Sequence, residues 1–182
     1  MGDGRPDDLH LGFLTVVNQD PHGLMGGYLL LNRFGRPVEF HCTTPIRPNR
    51  AQQILFGPTL APYLYGEQIG QTLVGKAGVE AAVICTNEPR VLAVRDYVTT
   101  PVLLILSAED DASSATLVCT TQFELCGCKC AVLSAHLGDH AAAAARLERL
   151  GAFDFVEPFG RIGEAMIEAL ASWNAQPSAR CA

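Results

Sequence analysis

The chain has 182 residues, 48% of them apolar and 18% charged, with a net charge of −6. A chain of this length can hide roughly 70% of its extended surface, so its core needs no disulfides, and intrinsic disorder is excluded. The acidic balance argues against a general nucleic-acid binder and against an anionic-membrane binder.

Met1 to Leu9 is polar, with three Asp and one Arg, and reads as a mobile tail rather than a signal peptide. No stretch approaches the ~18 apolar residues of a membrane span, so a soluble, cytoplasmic protein is expected. Seven cysteines, an odd number without an export signal, read as reduced thiols or metal ligands.

The β pattern begins at once. Leu11–Val17 is apolar and β-branched, Gly27–Asn32 is a second run and Val38–Thr44 a third. Arg33-Phe34-Gly35-Arg36-Pro37 between the last two is a hairpin signal. Val38, Phe40 and Cys42 alternate with Glu39, His41 and Thr43, so one face of that strand is buried.

Pro45 to Pro48 ends the strand. Asn49 is placed as the N-cap of a helix starting at Arg50. Ile54 to Leu73 has helical spacing, interrupted by Gly57-Pro58 and Pro62, and predicts two short helices.

Val79–Cys85 and Pro101–Leu106 are continuous apolar runs flanking a short helix within Pro89–Val98. That is a βαβ segment with buried parallel strands. Glu109-Asp110-Asp111 reads as a surface loop. Thr116–Thr121 and Phe123–Leu133 predict a further hairpin. His136–Leu150, with five consecutive Ala, and Glu157–Trp173 predict a C-terminal helix pair.

The fold class is therefore mixed α+β (α/β). A mixed sheet carries an N-terminal antiparallel hairpin unit, a central βαβ segment and the helix pair. One globular domain is expected over 10–173, with flexible tails at 1–9 and 174–182.

Two constellations stand out for chemistry. The first is basic: Arg33, Arg36, Arg47 and Arg50 against one acid, Glu39, in an acidic chain. With His41 and Asn49 they surround a hairpin and a helix start, where guanidinium forks and free N–H groups attract anions. The plain alternative is a solvated turn beside an ordinary helix terminus. No Gly-rich phosphate loop accompanies it.

The second is Cys126, Cys128 and Cys130 with His136 and His140, whose donor types suit zinc. Alternate strand residues stand roughly 7 Å apart, however, which is too far for one ion unless Gly127 bends the strand. The plain alternative is that these thiols are small apolar residues on an inward face. His41-Cys42 cannot form a catalytic pair, because neighbours on a strand point to opposite faces. Cys85 ends a parallel strand, a usual place for functional groups, but has no visible partner.

The sequence thus predicts a non-enzymatic adaptor recognising a protein partner or small anionic ligand around 33–50. A zinc-binding or thiol-dependent protein built on the cysteine cluster is the alternative. Homo-oligomer formation would use the C-terminal helices.

Overall fold

The computed structural model describes residues 9–107 and 119–175. Most of the two expected tails and the acidic stretch Glu109–Asp111 lie outside the described residues. Seven strands form one mixed sheet in the order β3-β2-β1-β4-β5-β7-β6.

The strands are β1 (His10–Gln19), β2 (Gly23–Asn32), β3 (Pro37–Cys42), β4 (Val83–Thr86), β5 (Val102–Ile105), β6 (Thr120–Leu125) and β7 (Cys128–Leu133). β1 to β3 form an antiparallel meander. β4 lies parallel to β1 and to β5, and β7 returns antiparallel to β5 and to β6. The mixed α+β class, the hairpin unit and the parallel strand pair are as the sequence predicts.

Period-two alternation sends successive side chains to two cores. Leu11, Phe13, Met25, Leu29 and Leu31 meet Ile162 and Met166 on one face. Leu14, Val16, Tyr28 and Leu30 meet Leu64, Ile69 and Leu73 on the other. The first face is covered by α4 (Gly138–Leu147) and α5 (Glu157–Ala175), the expected helix pair. α5 runs two residues past the expected end.

The second face is covered by a run that changes pitch repeatedly. α1 (Arg50–Phe56) is capped by Asn49, as predicted. The Asn49 side chain accepts from the Gln52 N–H, and the Gln52 side chain accepts from the Asn49 N–H. A 3₁₀ turn (Gly57–Thr59), α2 (Leu60–Pro62), a π-helical stretch (Tyr63–Gln71) and α3 (Thr72–Lys76) follow. Two regular helices were expected here. Pro58 and Pro62 donate no backbone hydrogen bond, which favours turns of irregular pitch. At Gly66 the run meets the 3₁₀ helix Pro89–Asp96 so closely that a Cβ would lie 2.7 Å from the Ala93 carbonyl carbon.

The second hairpin turns later than expected. Its two-residue turn is Cys126-Gly127, both with positive φ (53° and 77°), so Phe123–Leu133 is two strands and not one. Turns with left-handed residues at both central positions match the twist of the flanking strands. Among the described residues no helix is long and apolar enough to cross a membrane.

Candidate functional site

The structure breaks up the basic constellation. Arg33 and Arg36 lie at the β2–β3 hairpin tip, beside Asn32. Arg47, Asn49 and Arg50 lie at the opposite end of β2, where Leu24 bridges Ile46. The eight-residue step from Leu24 to Asn32 separates the two groups by on the order of 25 Å. His41 belongs to neither: its Nε2 meets Glu39 Oε2 at 2.9 Å, and Glu39 also accepts from the Gly78 N–H at 3.0 Å. The His41 hydrogen bond is the main cause that holds the Glu39 carboxyl below its ordinary value. Asn49 Oδ1 is occupied by the Gln52 N–H at 2.8 Å.

The cysteine cluster does not converge either. Cys128 and Cys130 lie along one strand, with Cys130 Sγ 3.6 Å from the Cys128 carbonyl oxygen. Cys126 is exposed at the turn. His136 is in a 3₁₀ turn (Ser134–His136), its Nε2 3.1 Å from Asp96 Oδ1. His140 stacks on Phe123 with centroids 4.1 Å apart. Among the described residues no group of three or more His, Cys, Asp and Glu side chains could hold a metal ion. The alternative zinc reading is therefore corrected: one regular helix over 136–140 would have aligned the two imidazoles, but His136 ends a 3₁₀ turn while His140 lies in α4, and their rings go to different partners.

Burial pushes the Cys130 thiol up to about 12 and the Cys85 thiol well above its usual range. Both are core residues on the α4/α5 face. Cys42 lines a groove of about 180 Å³ with Met25, Leu170 and Trp173, and burial raises its thiol as well. The imidazole next in sequence points to the other face, as strand alternation requires.

A site that the sequence reading missed lies at the carboxyl ends of the parallel strands. Thr15, buried in β1, donates from Oγ1 to Asn87 Oδ1 at 2.7 Å. Asn87 immediately follows β4, and Ser107 comes two residues after β5. Asn87, Ile105, Ser107, Val156 and Phe159 line a crevice of about 210 Å³. Phe159 is held edge-on against Phe13, with centroids 5.5 Å apart. Thr15 orients the amide through its oxygen. The crevice combines amide and hydroxyl groups with apolar walls, and among the described residues charged side chains do not line it. Ligands of open α/β sheets bind in this position, beyond the carboxyl ends of the strands. The available signal was Asn87 after an apolar parallel strand. Placing the strand's end at Cys85 drew attention to a residue that points into the core.

No protein-family model matches the sequence, and no curated protein matches it. Solved structures of similar fold include human ENDOV, at 15% identity, covering 92% of this chain and 86% of that one, with a TM-score of 0.47. Another is Ciona intestinalis endonuclease V, described in complex with a 23mer DNA containing an inosine followed by a ribo-adenosine. It is 11% identical, covers 90% of this chain and 86% of that one, and has a TM-score of 0.48.

Three expectations are corrected: the non-enzymatic protein- or anion-binding adaptor at 33–50, the alternative zinc site, and the expectation of no general nucleic-acid binding. Within the chain the physical reason is dispersal. The arginines on which the adaptor reading rested are separated by the length of β2. The net charge, which suggested the exclusion, averages over the whole surface and does not describe any one site.

Proposed function

We propose that the chain acts on a nucleic acid, taking one unpaired base into the crevice beside Asn87. The observation that carries this reading is the Thr15–Asn87 hydrogen bond. Thr15 holds the oxygen, and Asn87 offers its two N–H donors. A donor edge selects a base that presents acceptors, and guanine-type purines present O6 and N7. Val156, Ile105 and Phe159 give the ring an apolar wall, as pockets for extruded bases do. Adenine presents an amino donor where a 6-oxopurine presents an acceptor, so it is disfavoured.

The test is a binding titration with two single-stranded oligonucleotides that differ at one position, inosine against adenosine. The inosine strand binds more tightly, and Asn87→Ala removes the difference. Equal affinities in the wild type, or a difference that survives Asn87→Ala, would overturn the reading. A denaturing gel of the same mixtures with a divalent cation reads whether base seating is followed by strand cleavage.

A further inference from the structure

β3 closes one end of the sheet, and among the described residues no strand lies against its outer edge. Thr43, one residue beyond β3, donates its N–H to the Gly26 carbonyl at 2.9 Å. Antiparallel pairing alternates between hydrogen-bonded and non-hydrogen-bonded positions. Thr43, His41 and Glu39 therefore turn their backbone groups toward β2, while Phe40 and Cys42 turn theirs outward. The register shift of the β2–β3 ladder lies at Leu30/Leu31, so Glu39 to Cys42 is a regular strand. Sheet edges are commonly blunted by Lys, by charged inward-pointing groups or by a covering loop. No Lys or Arg occurs between Val38 and Thr44, and Val38 and Phe40 are exposed.

We propose that β3 pairs antiparallel with β3 of a second copy of this chain, about a two-fold axis at Phe40. Phe40 then exchanges both of its outward backbone hydrogen bonds with Phe40 of the second copy, and the two rings form a cross-strand aromatic pair. Charge favours this occupant and this register. Glu39 and His41 flank Phe40 symmetrically, so each Glu39 stands opposite His41 of the other copy, in the closer kind of cross-strand pair, about 4.5 Å between Cα atoms. The same two groups already attract one another within one chain, at 2.9 Å. An axis at Glu39 would set two carboxylates directly opposite each other, which is destabilising. Copies of a chain of net charge −6 repel one another over most of their surface, whereas here acid meets imidazole. The contact is isologous, the same patch on both subunits, as a two-fold axis requires. It joins copies of one chain, uses none of the four arginines, and shares no residue with the Asn87 crevice, so it stands independently of the proposed function.

The experiment is sedimentation velocity of the full chain over a concentration series. An edge contact of this length falls below the standard interface of about 800 Å² per partner, so the series extends to high micromolar concentration. The wild type passes from monomer to dimer as concentration rises. Phe40→Lys and Phe40→Glu each weaken association at least about tenfold, because residue 40 faces itself across the axis and like charges are brought together. Mixing the two variants in equal amounts restores the dimer. Thermal melts followed by circular dichroism check that both variants fold, and the wild-type series decides by itself if one does not. A wild type that stays monomeric throughout, a dimer that survives either substitution in a folded variant, or a mixture of folded variants that remains monomeric would overturn the inference. The inosine titration at Asn87 reads the crevice separately.

Discussion

Arg95 and Asp139 are locked together by two parallel hydrogen bonds, Nε to Oδ2 at 2.7 Å and Nη2 to Oδ1 at 3.0 Å. The pair ties the 3₁₀ helix Pro89–Asp96 to the start of α4. Asp139 Oδ2 also accepts from the Val102 N–H at 3.1 Å, and Arg95 donates from Nη1 to the Val98 carbonyl at 2.7 Å. One buried carboxylate therefore aligns the first residue of β5 with elements on both faces of the sheet.

Removing one partner of such a pair strands a charge in the interior. Asp139→Ala is expected to lower stability by about 3–5 kcal/mol, read from urea unfolding. Arg95→Met with Asp139→Leu should cost less than Asp139→Ala alone, since neither charge is then left unpaired. A double variant less stable than Asp139→Ala would contradict this account.

The close approach at Gly66 predicts a second loss. A methyl group there meets the Ala93 backbone, which cannot rotate away as a side chain tip could. Gly66→Ala should destabilise by about 1–3 kcal/mol despite its better helix propensity. An unchanged or raised midpoint of thermal unfolding would show that the helical run has room to shift.

The Glu39–His41 pair predicts a pH dependence. Glu39 is depressed in the folded chain, chiefly by the His41 hydrogen bond, from an ordinary value of 4.5. A depressed carboxyl contributes stability above its unfolded value, and loses it as pH falls through the folded value. The melting-temperature gap between wild type and Glu39→Gln should therefore be largest near neutrality and shrink below about pH 4.5. Parallel curves down to pH 2 would refute the assignment.

Thiol reactivity should follow burial. Cys85 is fully buried with a strongly raised thiol, and Cys130 is pushed up to about 12, so neither offers thiolate near pH 8. Cys119 and Cys126 are exposed. Brief alkylation of native protein followed by peptide mass mapping should find label at Cys119 and Cys126, with Cys85 and Cys130 modified only after denaturation. Early label at Cys130 would mean that β7 opens readily.

Local signals determined much of this protein. Alternation along β1 and β2, the apolar runs of β4 and β5, the Asn49 cap and the two amphipathic helices are all written in near-neighbour spacing, whereas on the edge strand β3 the expected buried face leaves Val38 and Phe40 exposed. Each follows from rules that act over a few residues: pleat, helical period and capping. The pitch changes between Phe56 and Lys76, and the Cys126-Gly127 turn, were less legible, since packing against Ala93 and strand pairing decided them. The site depended wholly on tertiary structure. Thr15 and Asn87 are distant in sequence and meet only because β4 inserts beside β1. Arg33 and Arg50 are near in sequence and are held apart because the extended β3 lies between them along the chain. Proximity along a chain and proximity in space diverge wherever a strand intervenes, and here that divergence moved the functional reading from the basic stretch to the carboxyl edge of the sheet.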